Sequence, residues 1–378
     1  MTRSALPWLA ASIVVCGGIL AVSSATRAQR NMDDPAASSR ESSASNDLPN
    51  ADVVKAFIAG RTAKNWEAPK TPWGDPDIQG NFTTKDEANT PFERPQQWAD
   101  RRIEDITQAE LNEAIVQRQQ EALEFAPFFG GGEPEDGVAI AVPIHWFDNL
   151  AAVNSRPWFV IDPPDGTVPP VVTPPAPASA AAASGAAAAA RGMGGRRDTY
   201  LDRSLGDRCI AWGAWRLPTI YGNSYQILQT RDYVVLRQEQ VHEARIVPLD
   251  GRPPLDPRIR SYLGHARGHW DGNSLVVVTT NFRQQMNVRG FGGRGGNNTV
   301  GHLRLIERFT RIAPRKVEWT MTFDDSTIWT RPWTFSLPMT EDDKQIIHEY
   351  ACHEGNYGLA NILSAGRMAD RQMRSGTR

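Results

Sequence analysis

Residues 265–282, HARGHWDGNSLVVVTTNF, set the reading of the fold. Two runs of β-formers, 265–270 and 274–282, flank Asp271–Gly272, a pair suited to the tight type I′ turn between antiparallel strands. Working outward, short runs of the same kind recur at 225–230, 233–239, 243–249, 303–311, 316–324, 327–337 and 345–352. Ala313, Pro314 and Arg315 mark a second, slightly longer hairpin turn. Strands in such close succession predict a mainly β protein, an antiparallel meander forming either a lipocalin-like (calycin) barrel or a sandwich.

Before the meander the chain has a different texture. Arg3, an apolar run from Leu6 to Val22 and then Ser23, Ser24, Ala25 and Ala28 read as a secretory signal peptide over 1–28. Residues 29–64 are dominated by Ser, Ala, Asn and Asp and are expected to be disordered. An N-terminal extension, 65–168, follows. Its turn-rich stretch 70–80, KTPWGDPDIQG, should anchor through Trp73 and Ile78. Thr107 and Glu110 have capping-box spacing, so a helix is expected from there to about Phe125, ended by Pro127. Residues 158–161 read as a strand. Pro-, Ala- and Gly-rich sequence over 169–198 is a low-complexity insertion that separates the extension from the β-rich core, 199–378. A short helix from about Tyr357 to Met368 closes the chain.

Composition narrows the function classes. The 378 residues carry a formal net charge of −2, so no overall field draws the chain to nucleic acid. The Gly/Arg tracts 191–197 and 289–298 read as loops, or in isolation as RNA-binding segments. No segment after the signal is long and apolar enough to cross a membrane. The expected location is therefore periplasmic, without membrane insertion and without a nucleic-acid partner. In that oxidising compartment Cys209 and Cys352 are either a disulfide or two buried thiols.

The segments KTPWGDPDIQG, RPWFVIDPPDG, YGNSYQILQTRDYVVL, EARIVPLDGRP, HWDGNSLVVVTTNF, WTRPWTF and YACHEGNYGLANIL, taken in order, resemble a widespread group of exported bacterial proteins with no established activity. The resemblance implies export and a common fold. It implies no reaction.

Candidate chemistry concentrates at 345–357, QIIHEYACHEGNY. On a helix His348 and His353 would stand about 140° apart, and on a strand they face opposite ways, so they do not jointly hold a metal without a bend. Glu349 and His353 share a strand face. Alternation elsewhere puts Glu307 with Leu303, Leu305 and Phe309, and puts Arg331 with Trp329, Trp333 and Phe335. A charge on an apolar face needs a partner, a ligand or water. Glu307 paired with Arg331 inside the barrel is one solution, serving either the fold or a ligand. His265, Arg267 and His269 share one face, which is a solvent face or an acid–base and anion-holding group. His242, Glu243 and Arg245 pose the same question.

Two functions fit. One is a small-molecule-binding barrel with Arg331, Trp329, Trp333, Arg267 and His242 around the ligand. The other is a periplasmic hydrolase, lyase or isomerase drawing acid and base from His265, His269, Glu307, Glu349 and His353. Neither a G-x-S-x-G elbow nor a nucleotide-binding loop is present, and no metal or cofactor is expected.

Overall fold

A computed structural model describes residues 48–130, 150, 152–172, 199–241, 244–283, 301–344 and 346–375. The signal-peptide stretch, residues 29–47, residues 173–198, both Gly/Arg tracts and His242 with Glu243 lie outside them. Among the described residues, ten strands form one antiparallel sheet: β1 (Gly80–Thr83), β2 (Val160–Asp162), β3 (Ser224–Gln229), β4 (Tyr233–Gln238), β5 (Ala244–Pro248), β6 (His265–Asp271), β7 (Ser274–Thr280), β8 (Arg304–Ala313), β9 (Lys316–Asp324) and β10 (Trp333–Glu341). Their order is β5-β4-β3-β1-β10-β9-β8-β7-β6, with β2 paired to β10 off this path. The edge strands β5 and β6 come side by side, so the sheet is a nearly closed barrel and not a sandwich.

Local chemistry explains the hairpins. Gly272 takes φ +59° in the turn between β6 and β7, in the left-handed region that the expected turn requires. Gly268 serves the seam: a Cβ there would lie 2.7 Å from Val247 Cγ1 of β5, so a side chain would push the edges apart. β1 is the element the turn-rich reading of 70–80 does not contain. It pairs with both β3 and β10, so the N-terminal extension contributes a strand to the ring.

The barrel interior is apolar and aromatic. Phe323 stacks on Trp333 at 4.6 Å, and Trp215 and Trp329 meet Phe323 edge-on. Such pairs add about 0.5–1.5 kcal/mol each beyond area burial, so packing accounts for most of the tryptophans.

The outer face of β7–β10 is buried too, beneath N-terminal chain. Helix α1 (Ala51–Arg61) sets Val54 and Ile58 against Ile312, while Leu48 and Ala51 meet Val276 and Ile306. This helix falls in the stretch the composition suggests is disordered. Its few apolar residues suffice because the barrel offers a matching outer stripe.

Helix α2 (Gln108–Gly130) starts at the expected capping box, with Thr107 N donating to Glu110 Oε2 at 2.9 Å and Glu110 N to Thr107 Oγ1 at 3.3 Å. It runs through Pro127, past the expected stop. Leu111 and Ala114 are buried on its packed face, whereas Leu123 is exposed. Helix α3 (Tyr357–Ser375) is longer than expected. The strand expected at 345–352 is irregular chain in its described part. Cys209 and Cys352 form a disulfide, with Cα atoms 5.7 Å apart.

Candidate functional site

Glu307 lies on β8 with Leu305 and Phe309 on the interior face, as alternation requires, and it is fully buried. Its neighbours on the flanking strands, Val277 and Met321, are apolar. The carboxylate is therefore satisfied across the barrel. Arg245 of β5 donates to it twice, at 2.5 and 2.8 Å, and Trp319 Nε1 donates at 3.1 Å. A two-pronged guanidinium–carboxylate contact is the strongest ion-pair geometry available to side chains.

Arg331 is not that partner. Trp329 to Pro332 precede β10, so strand alternation does not hold there. The Arg331 side chain is 48% exposed and pairs with Asp162 at 3.1 Å. Trp329 and Trp333 are buried in the interior aromatic cluster, apart from Arg331's ion pair. Burial of Asp162 pushes its carboxyl above the ordinary range, against the pull of Arg331.

A cleft opens into the barrel beside the Arg245–Glu307 pair. Its wall is formed by Gly213, Ala214, Tyr225, Gln226, Ile227, Leu236, Arg237, Gln238, Arg245, Leu263, Phe309, Trp319 and Met339. It encloses about 370 Å³ of space including its mouth, of which about 20 Å³ admits the centre of a water molecule. That is room for water. Phe309 and Trp319 stack at 5.3 Å and Tyr225 meets Trp319 edge-on at 5.5 Å, so Arg245, whose guanidinium grips Glu307, adjoins the aromatic part of the lining, while Arg237, Gln226 and Gln238 also border the cleft. Burial pushes the Tyr225 hydroxyl up to about 12, which keeps it protonated at neutral pH.

The other candidates do not converge on this cleft. Ala266 and Trp270 of β6 point inward, which turns His265, Arg267 and His269 outward. His265 Nδ1 accepts from Leu255 N at 3.5 Å, and Arg267 pairs with Asp250 at 3.0 Å. His269 is partly covered on the outer face, and burial, with Arg308 nearby, lowers its pKa. Glu349 and His353 are exposed on the irregular segment before α3. The proposed acid–base residues therefore fall in three places: Glu307 inside the barrel, His265 and His269 on the outer face of β6, and Glu349 and His353 before α3. Among the described residues no group of three or more His, Cys, Asp or Glu is placed to hold a metal.

Arg245 is the functional candidate that sequence reasoning left ambiguous. In ARIVP it alternates with Val247, but Ile246 makes the opposite face look equally apolar. Ile246 is in fact 62% exposed, which is unusual enough to hide the true parity. Comparison with known protein families and with curated proteins gives no match for this chain.

Proposed function

We propose that this protein is an exported, periplasmic small-molecule-binding β-barrel, belonging with the group of exported bacterial proteins that its motifs resemble. The observation that carries the reading is Arg245: a guanidinium on the wall of an apolar, aromatic cleft, backed by Glu307 and Trp319. Small-molecule sites have this make-up, with apolar walls and a few placed polar groups. The ligand class it suits has a flat apolar body and an acceptor group facing Arg245. The acid–base reading needs its candidate histidines and carboxylates to meet at one reacting atom, and the described candidates do not supply that convergence.

The test is native mass spectrometry of the protein purified from its own periplasm, on wild type and on Arg245→Met. A bound small molecule in the wild type that is lost from a folded Arg245→Met supports the reading. A ligand retained equally by both places binding elsewhere.

A further inference from the structure

The outer surface of the barrel is finished unevenly. Over β7–β10 it lies beneath the N-terminal chain, and on β6 it carries His265, Arg267 and His269. Over β3–β5 it is apolar and open to solvent. Ile227, Val234, Leu236 and Val247 point into the core, so alternation turns Leu228, Tyr233, Val235 and Ile246 outward. Leu228 is 47% exposed, Tyr233 42% and Ile246 62%. Contiguous apolar patches of this kind mark contact surfaces.

Strand register joins these side chains into one figure. Leu228 stands opposite Val235 and Val235 opposite Ile246, a row of three aliphatic residues across three strands. Opposed side chains lie about 5 Å apart, so the row is continuous. Two residues along β4 on either side of Val235 come Tyr233 and Arg237. Tyr233 has Pro248 beside it on β5, and Arg237 has Ala244. One flank of the row therefore carries an aromatic ring and a proline, and the other a cation and a small residue.

That figure is self-complementary, which decides the occupant. A second copy laid face to face about a two-fold axis along the row puts each aliphatic residue on its own counterpart and exchanges the flanks. Tyr233 of each protomer then meets Arg237 of its partner, ring against guanidinium, an attraction that forms twice. Pro248 likewise meets Ala244. The rotation of roughly 30° between packed sheets is within what an arginine side chain spans. A two-fold axis along β4 would instead set Arg237 on Arg237, like charge on like. We propose that the β3–β5 face is a homodimer interface, with a second copy of this chain packed on it about the row Leu228–Val235–Ile246. The patch offers roughly 400–500 Å² per protomer, about half of a standard stable interface. The dimer is therefore reversible, with a Kd on the order of 100 μM. The inner sides of the same strands line the Arg245 cleft, and the interface makes no use of it.

Sedimentation of the protein as purified from its host, from about 5 to about 500 μM, should show monomer passing reversibly to dimer. Ile246→Glu should weaken dimerisation at least about tenfold and, at so exposed a position, leave the melting point within about 2 °C. Leu228→Glu serves the same purpose if the Ile246 variant does not fold. Leu228→Cys, oxidised at high protein concentration, should cross-link to itself, because the axis along the row sets that residue on its own counterpart. Val116→Cys, on the exposed side of α2, should not. A chain that stays monomeric throughout overturns the proposal and leaves the face to a different partner. A dimer of unchanged affinity in folded Ile246→Glu or Leu228→Glu overturns it too, by moving the contact elsewhere. So does a Leu228→Cys variant that cross-links no faster than Val116→Cys.

Discussion

Two buried arginine–glutamate pairs lie on opposite faces of the same sheet. Arg245–Glu307 is inside the barrel. Arg156–Glu318 is outside it, under the N-terminal chain, with both side chains fully buried. Arg156 donates to both Glu318 oxygens at 3.0 and 3.1 Å and to Ser336 O at 3.0 Å, and Ser336 Oγ adds a contact to Glu318. The outer pair is sealed on every side, whereas Arg245 lines an opening. Similar chemistry thus serves two ends: one pair fastens the N-terminal cover to the barrel, and the other presents a charge to whatever enters.

The comparison breaks or sharpens under mutation. The largest effect is expected at the sealed pair. Arg156→Met should cost about 3–5 kcal/mol in urea denaturation, because it strands a buried carboxylate. A loss below about 1 kcal/mol would mean that water reaches Glu318 and that the two sites do not differ. Arg245→Met should cost less, about 1–3 kcal/mol, since the adjoining cleft admits water and Trp319 still donates to Glu307. Equal losses at the two pairs would make the inner one ordinary core.

Arg331→Met should cost at most about 1 kcal/mol, as exposed pairs do. Its pH dependence has a sign. The Asp162 carboxyl is already raised by burial, and without Arg331 it rises further. A raised acid contributes its stability below its unfolded pKa and loses it as pH rises through the folded value. Wild type and variant should therefore converge in acid and part as pH approaches neutrality. Parallel curves would show that the pair does nothing for Asp162.

The smallest effect belongs to His269. Its folded pKa lies below the unfolded value, so it supports the fold above about pH 6.5, and that support is lost as pH falls through the folded pKa. His269→Gln should flatten the slope of stability against pH between neutrality and pH 5. An unchanged slope would mean that water reaches the imidazole freely.

These residues also show what could be read without coordinates. The meander was legible because hairpin turns and alternation are local: β9 starts and ends where its β-formers do, and Glu307 falls on the predicted face. Closure was not legible, since it depends on Gly268 meeting Val247 across a seam where consecutive strands share no hydrogen-bonded ladder. Glu307's partner was missed for the same reason. Strand parity extended through Pro332 points to Arg331, but β10 begins only at Trp333. Ala51 to Arg61 read as disordered because the helix's support comes from Ile306 and Ile312, which composition at the N-terminus does not contain.

The place of β1 between β3 and β10 sets an order of assembly. Its register pair Phe82–Glu341 joins distant parts of the chain, while β6–β7, β8–β9 and β3–β4 are hairpins of near neighbours. Hairpins form in microseconds, but contacts of long sequence separation come late. A chain delivered from its N-terminus holds a sheet with raw edges until β10 arrives. The sheet edges stay open to wrong pairing for that whole interval, so the ring of this barrel shuts only after β10 has been made.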